Sequence, residues 1–139
     1  MVQVYEFGPH RCEIEPPDIA HVHYSGDVSI EHVKQIDTLL LNALQADAVY
    51  LLRDARSGGI QSGDTRTFMA RKPTISRLIA VVTYGASFHA RTVTIMSRTA
   101  SLALTHTGPE LVFVETEAEA RAWIEDDRRR RQTTPNQTT

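Results

Sequence analysis

The chain has 139 residues, 41% of them hydrophobic, and a formal net charge of -2. That length suits one domain with an ordinary core, the apolar content excludes a disordered chain, and the charge gives no global pull toward nucleic acid or anionic membrane. The single cysteine, Cys12, excludes an internal disulfide and fits a reducing compartment. No basic-then-apolar signal segment opens the chain, and no apolar run approaches the roughly 18 residues of a membrane span. A cytoplasmic protein without a membrane span is expected.

Residues 2–7 and 11–15 read as short strands separated by a Gly8-Pro9 turn, and Pro16-Pro17 closes the second. Residues 19–24 alternate, with Ala20, Val22 and Tyr24 on one face and Ile19, His21 and His23 on the other. These segments predict antiparallel strands joined by tight turns. Ser29 can cap a helix, and Ile30, Val33, Ile36, Leu40, Ala43 and Leu44 recur at three- and four-residue steps, which predicts a helix over 29–45.

Val49-Tyr50-Leu51-Leu52-Arg53-Asp54 reads as a buried strand. It leads into a loop over 55–61 and then a helix over about 63–72, which must stop before Pro73. The continuously apolar Leu78-Ile79-Ala80-Val81-Val82 fits a strand covered on both faces. Ser87 can cap a helix through about residue 103, with Phe88, Thr92, Ile95, Thr99 and Leu102 on one stripe, although the β-branched run 92–95 competes as a strand. Residues 111–114 are the last strand. Thr116 and Glu119 form a capping box for a final helix that carries Ala120, Trp123 and Ile124. From residue 132 the polar chain reads as a disordered tail, which leaves a single domain over 1–131. The order of elements predicts an α/β fold, a mixed sheet that is largely parallel in its second half and is packed with about four helices.

Open α/β sheets concentrate function where strand C-termini meet helix N-termini. The binding candidates at that edge are Asp54, Arg56, Gly58, Gly59, Ser62, Gly63, Ser87 and Phe88. Gly58-Gly59 would let the backbone approach a partner closely. Ser62, with Arg56 or Arg66, could hold a phosphate at a helix N-terminus, and a plain helix cap is the simpler role. His21 and His23 share a strand face and could present two metal ligands. No cysteine or third histidine stands at a helpful spacing, so solvent-facing histidines and no metal are expected. No nucleophile has a matched histidine, since Ser87 and His89 do not share a helix face, so neither a catalytic residue nor a cofactor is expected. The basic run 128–131 reads as a solvated helix end that complements the helix dipole, and no nucleic acid partner is expected.

Leu51-Leu52-Arg53-Asp54, the helix from Ser62 to Arg71, the segment from Val81 to Arg91 and the segment from Val112 to Ile124 follow one another in a familiar order. Over roughly residues 20–127 the chain resembles the STAS-like fold of the anti-sigma-factor antagonist of bacterial sporulation, and small bacterial STAS/SEC14-like proteins. In the antagonists, a strand-end Asp and the serine of an Asp-Ser-Ser-Gly loop form the site that a partner kinase phosphorylates. Asp54 resembles that Asp and Ser62-Gly63 the Ser-Gly pair, whereas Ile60 and Gln61 stand where the motif has Asp and Ser. The resemblance implies a non-enzymatic interaction or regulatory module that forms a homodimer or binds a protein partner. Its SEC14-like half implies an alternative, a small apolar ligand or lipid in a cleft between the helices at 62–72 and 87–103.

Overall fold

The computed structural model describes residues 2–43, 48–61, 78–88, 91–92, 95 and 109–133. Among these, six strands form one sheet whose spatial order is the chain order: β1 (Gln3–Phe7), β2 (His10–Glu15), β3 (Ile19–Val28), β4 (Val49–Gln61), β5 (Leu78–Tyr84) and β6 (Glu110–Val114). β1, β2 and β3 pair antiparallel, and β3 to β6 pair parallel. The second half of the sheet is parallel as expected, and β4 and β5 are neighbours, with Tyr50 opposite Ala80 and Asp54 opposite Tyr84. Two helices are described along their length, α1 (Ile30–Ala43) and α2 (Glu117–Thr133).

Both helices begin as the sequence dictates. The Ser29 hydroxyl accepts the His32 amide at 3.2 Å, which satisfies one of the orphan donors of α1. Thr116 and Glu119 form the reciprocal box: the Glu119 amide donates to Thr116 Oγ1 at 3.2 Å, and the Thr116 amide donates to Glu119 Oε1 at 3.1 Å.

The sheet is covered on both faces. Val33, Ile36 and Leu40 of α1 pack on Cys12, Ile14, Ala20, Val22, Tyr24, Val49, Leu51 and Val81. Ala120 and Ile124 of α2 pack on Ile19, Tyr50, Leu52, Ala80, Val82 and Tyr84, with Trp123 partly buried beside them. Period-two alternation along β3, β4 and β5 sends alternate residues to the two layers. Burying each large side chain contributes about 1.5–3 kcal/mol.

Three expectations are corrected. Residues 55–61 are the second half of a 13-residue strand, paired with the end of β3 as Ser25 to Ser57, Gly26 to Gly58 and Val28 to Gln61. Register shifts between His23 and Ser25 and between Gly26 and Val28 absorb the irregularity, which is how a glycine-bearing strand with bulges continues where a turn is read. About four helices are not matched among the described residues. Besides α1 and α2 these contain only Ser87, Phe88, Arg91, Thr92 and Ile95 of the expected helix over 87–103, and the expected helix over 63–72 lies outside them. Finally, α2 runs on to Thr133, two residues into the expected tail; residues 134–139 lie outside the described set.

Candidate functional site

Register alone assembles a polar row on the α2 face. Arg11, Glu13 and Glu15 alternate with the buried Cys12 and Ile14 along β2, so the charged set faces α2. Across the antiparallel pairing, Glu13 lies opposite His21 and Arg11 opposite His23. Across the two parallel pairings, His23 lies opposite Asp54 and Asp54 opposite Tyr84. One row therefore runs from β2 to β5 near the C-terminal edge of the parallel strands, and α2 adds Glu117 and Arg121 above it.

These groups are bonded to one another. His23 Nδ1 is 2.9 Å from Asp54 Oδ2, and its Nε2 is 2.6 Å from Glu13 Oε1. An ionised carboxylate only accepts, so His23 donates to Asp54 through Nδ1, which leaves Nε2 facing Glu13. His21 Nδ1 accepts from Arg121 Nη2 at 3.3 Å, which places the His21 proton on Nε2, 2.8 Å from the Tyr84 hydroxyl. That hydroxyl in turn reaches Asp54. Arg56 grips Asp54 from Nε at 3.0 Å and Nη2 at 2.8 Å, and its amide adds a third bond at 3.1 Å. Arg121 binds both oxygens of Glu15 at 2.8 Å and Glu117 Oε2 at 2.8 Å.

The electrostatics follow from burial and these bonds. Burial alone would raise the Asp54 carboxyl. Hydrogen bonds from the Arg56 and His23 side chains and from the Arg56 amide outweigh it and hold the group well below the usual carboxylate range. Burial, with the His23 charge second, lowers the pKa of His21. Burial and the Asp54 charge raise that of Tyr84. The hydrogen bond from Arg121 lowers Glu15, and the same donor lowers Glu117. At neutral pH the row therefore contains an ionised Asp54, a neutral His21 and a protonated Tyr84 hydroxyl. Such a set can hold a cation.

The expected solvent-facing histidines are thus corrected: His21 is 2% exposed and His23 is half-buried. Of the expected binding residues, Asp54 and Arg56 belong to the row. Gly58 and Gly59 lie beyond it in β4, and a Cβ on Gly58 would meet nothing nearer than Ala55 O at 3.6 Å, an ordinary contact. Ser87 precedes a helical turn in which the Arg91 amide donates to Ser87 O at 3.0 Å, and Phe88 is exposed. Ser62 and Gly63, and the cleft between helices 62–72 and 87–103, lie outside the described residues. Sequence reading missed Glu13, Glu15, Tyr84 and Arg121. The alternation of charge along 11–15 was the usable signal for the first two.

The basic run is also not simply solvated. Arg128 pairs with Asp18, which precedes β3, and with Glu125, while Arg130 and Arg131 pair with the buried Asp127 at 2.9 and 2.7 Å.

No protein-family model and no curated protein matches the chain. Among solved structures it is similar to an uncharacterized protein from the DUF3478 family with a SpoIIAA-like fold from Shewanella loihica PV-4. The two share 16% identity, over 88% of this chain and 91% of that chain, with a TM-score of 0.55. A likeness at that identity speaks for the fold: a six-stranded mixed sheet of STAS-like, SpoIIAA-like form.

Proposed function

We propose that the protein is a non-enzymatic interaction module of STAS-like fold, which offers the C-terminal edge of its parallel strands to a second copy of the chain or to another protein. One observation carries this reading. Phe88 and Ile95, seven residues apart on the stripe that the sequence predicts, are each helical and are 86% and 49% exposed. Large apolar side chains grouped on one face favour a docking surface. Asp54 supports the same reading, because Arg56 and His23 occupy both of its oxygens. A carboxylate so engaged braces the edge and is a poor base.

Sedimentation velocity of the full chain and of Phe88→Ser tests the proposal. The expected result is a wild-type dimer that the substitution converts to monomer with unchanged circular dichroism. A monomeric wild type that releases a small apolar molecule on unfolding would instead select the ligand-binding alternative.

A further inference from the structure

We propose that Glu13, His21 and His23 form a binding site for a first-row divalent transition-metal ion, with Zn2+ the foremost candidate. The site is separate from the Phe88 and Ile95 face, and neither proposal rests on the other.

Geometry is the first support. Glu13, His21 and His23 each offer one ligand atom, and these atoms lie within 4.8 Å of one another. His21 Nδ1 is 3.7 Å from Glu13 Oε1, close to the roughly 3.3 Å edge of a tetrahedron built on metal–ligand bonds of about 2.0–2.1 Å. Two imidazoles and one carboxylate are a donor set that zinc accepts while keeping a fourth position open. Histidines at i and i+2 of a strand share a face, and the third ligand comes from the paired strand, so the sheet itself fixes the spacing.

The groups behind the ligands give independent support. A metal-binding imidazole usually donates its remote N–H to a carboxylate, carbonyl or similar acceptor, which fixes the tautomer. Here His23 is held at Nδ1 by Asp54 and His21 at Nε2 by Tyr84, so Nε2 of the first and Nδ1 of the second are turned toward Glu13. Arg56 in turn fixes Asp54. Without an ion, the three ligand atoms converge, with His23 Nε2 and Glu13 Oε1 only 2.6 Å apart. A bound ion enters between these atoms, any proton on the ligand atoms leaves to water, and Glu13 moves outward by less than about 1 Å to give normal bond lengths. Glu13 has room to do so because its side chain is 26% exposed.

Two cations face the site. Arg11 lies 3.8 Å from Glu13, and Arg121 lies 3.3 Å from His21 Nδ1. The Arg121 contact to His21 is its longest; Glu15 and Glu117 hold the guanidinium at 2.8 Å and would retain it when an ion displaces that contact. Glu13, Glu15 and Glu117 offset the added charge.

The test is titration of metal-free full-length protein with Zn2+ against a chromogenic chelator, together with long-range proton–nitrogen correlation of the histidine rings. One ion per chain is expected, with coordination shifts at Nδ1 of His21 and Nε2 of His23. Glu13→Gln should weaken binding about ten-fold or more, and Tyr84→Phe, which removes the hydroxyl that His21 and Asp54 share, by about ten-fold. The ring-nitrogen pattern is read on the wild type, so the test survives a variant that fails to fold. No competition at micromolar chelator, shifts at His10 and His32 in place of His21 and His23, or affinity unchanged in Glu13→Gln would each overturn the site.

Discussion

The Tyr50 hydroxyl on β4 donates to the Asp127 carboxylate on α2 at 2.6 Å, across 77 residues of sequence. The Asp127 side chain is 8% exposed, and Arg130 and Arg131 supply its other donors. The phenol answers the same contact: burial and the Asp127 hydrogen bond push its pKa up to about 12. Asp127 is a buried charge with three donors, and it ties α2 to the middle of the sheet.

Removing any of these donors should destabilise the fold. Tyr50→Phe is expected to cost about 1–3 kcal/mol, because it strips a donor from a buried carboxylate. Truncation after Asp127 removes both arginine donors and the Arg128 pair with Asp18. It should cost more than about 2 kcal/mol even after discounting the half-exposed guanidinium groups for solvent screening. Urea unfolding of the truncated chain checks this, and a midpoint equal to the wild type would return the basic run to a solvated end.

The pH dependence has a definite sign. Burial would raise the Asp127 pKa, but hydrogen bonds from Tyr50, Arg131 and Arg130 outweigh it and lower it below the ordinary value. A depressed folded-state pKa gives stability that is present above the unfolded value, about 3.9, and is lost as the pH falls through the folded one. Urea midpoints should therefore drop from about pH 5 to about pH 2, and Asp127→Asn should flatten that slope. An identical slope in the variant would remove Asp127 from the acid response.

Two glycines separate backbone strain from crowding. Gly85 has φ of +75°, and a Cβ there would stand 2.3 Å from Arg56 Cγ; Gly26 has φ of +77° and nothing within 4 Å. Gly26→Ala should cost about 1–2 kcal/mol, the left-handed strain alone. Gly85→Ala should cost more, because Arg56 must also leave Asp54. Equal losses in thermal unfolding would show that Arg56 moves aside freely.

Cys12 reports on the other layer. It is fully buried beneath α1 in the apolar cluster. Thiol reagents should label it only at the rate at which the sheet opens, rising with urea as unfolding does. Rapid labelling of the native chain would place β2 outside the core.

The helices were legible because their signals are local. Val33, Ile36 and Leu40 mark one face at helical spacing, and Thr116 with Glu119 writes a cap into four residues. The second half of β4 was hidden because Gly58-Gly59 reads as a turn, whereas Gly26 sits opposite Gly58 in a bulged pairing that no local pattern reveals. The polar row was half legible. His21 and His23 could be placed on one face, but their partners come from β2, β4, β5 and α2, through strand register and helix docking. Asp127 was obscured by its neighbours, since one buried acid within a charged run looks like its solvated companions.

The helix that closes the polar face has a consequence for how the molecule is made. Its clasps reach far back along the chain: Arg121 to Glu15 spans 106 residues, and Arg128 to Asp18 spans 110. A ribosome therefore exposes β2 and β3 long before their partners in α2 exist. During that interval Glu15 and Asp18 are in water without Arg121 and Arg128, and the apolar surface that Ala120 and Ile124 will cover is bare. The α1 layer, whose helix lies between β3 and β4, can form earlier on the nascent chain. The two faces of one sheet are thus completed at different times, and the face with His21 and His23 is completed second.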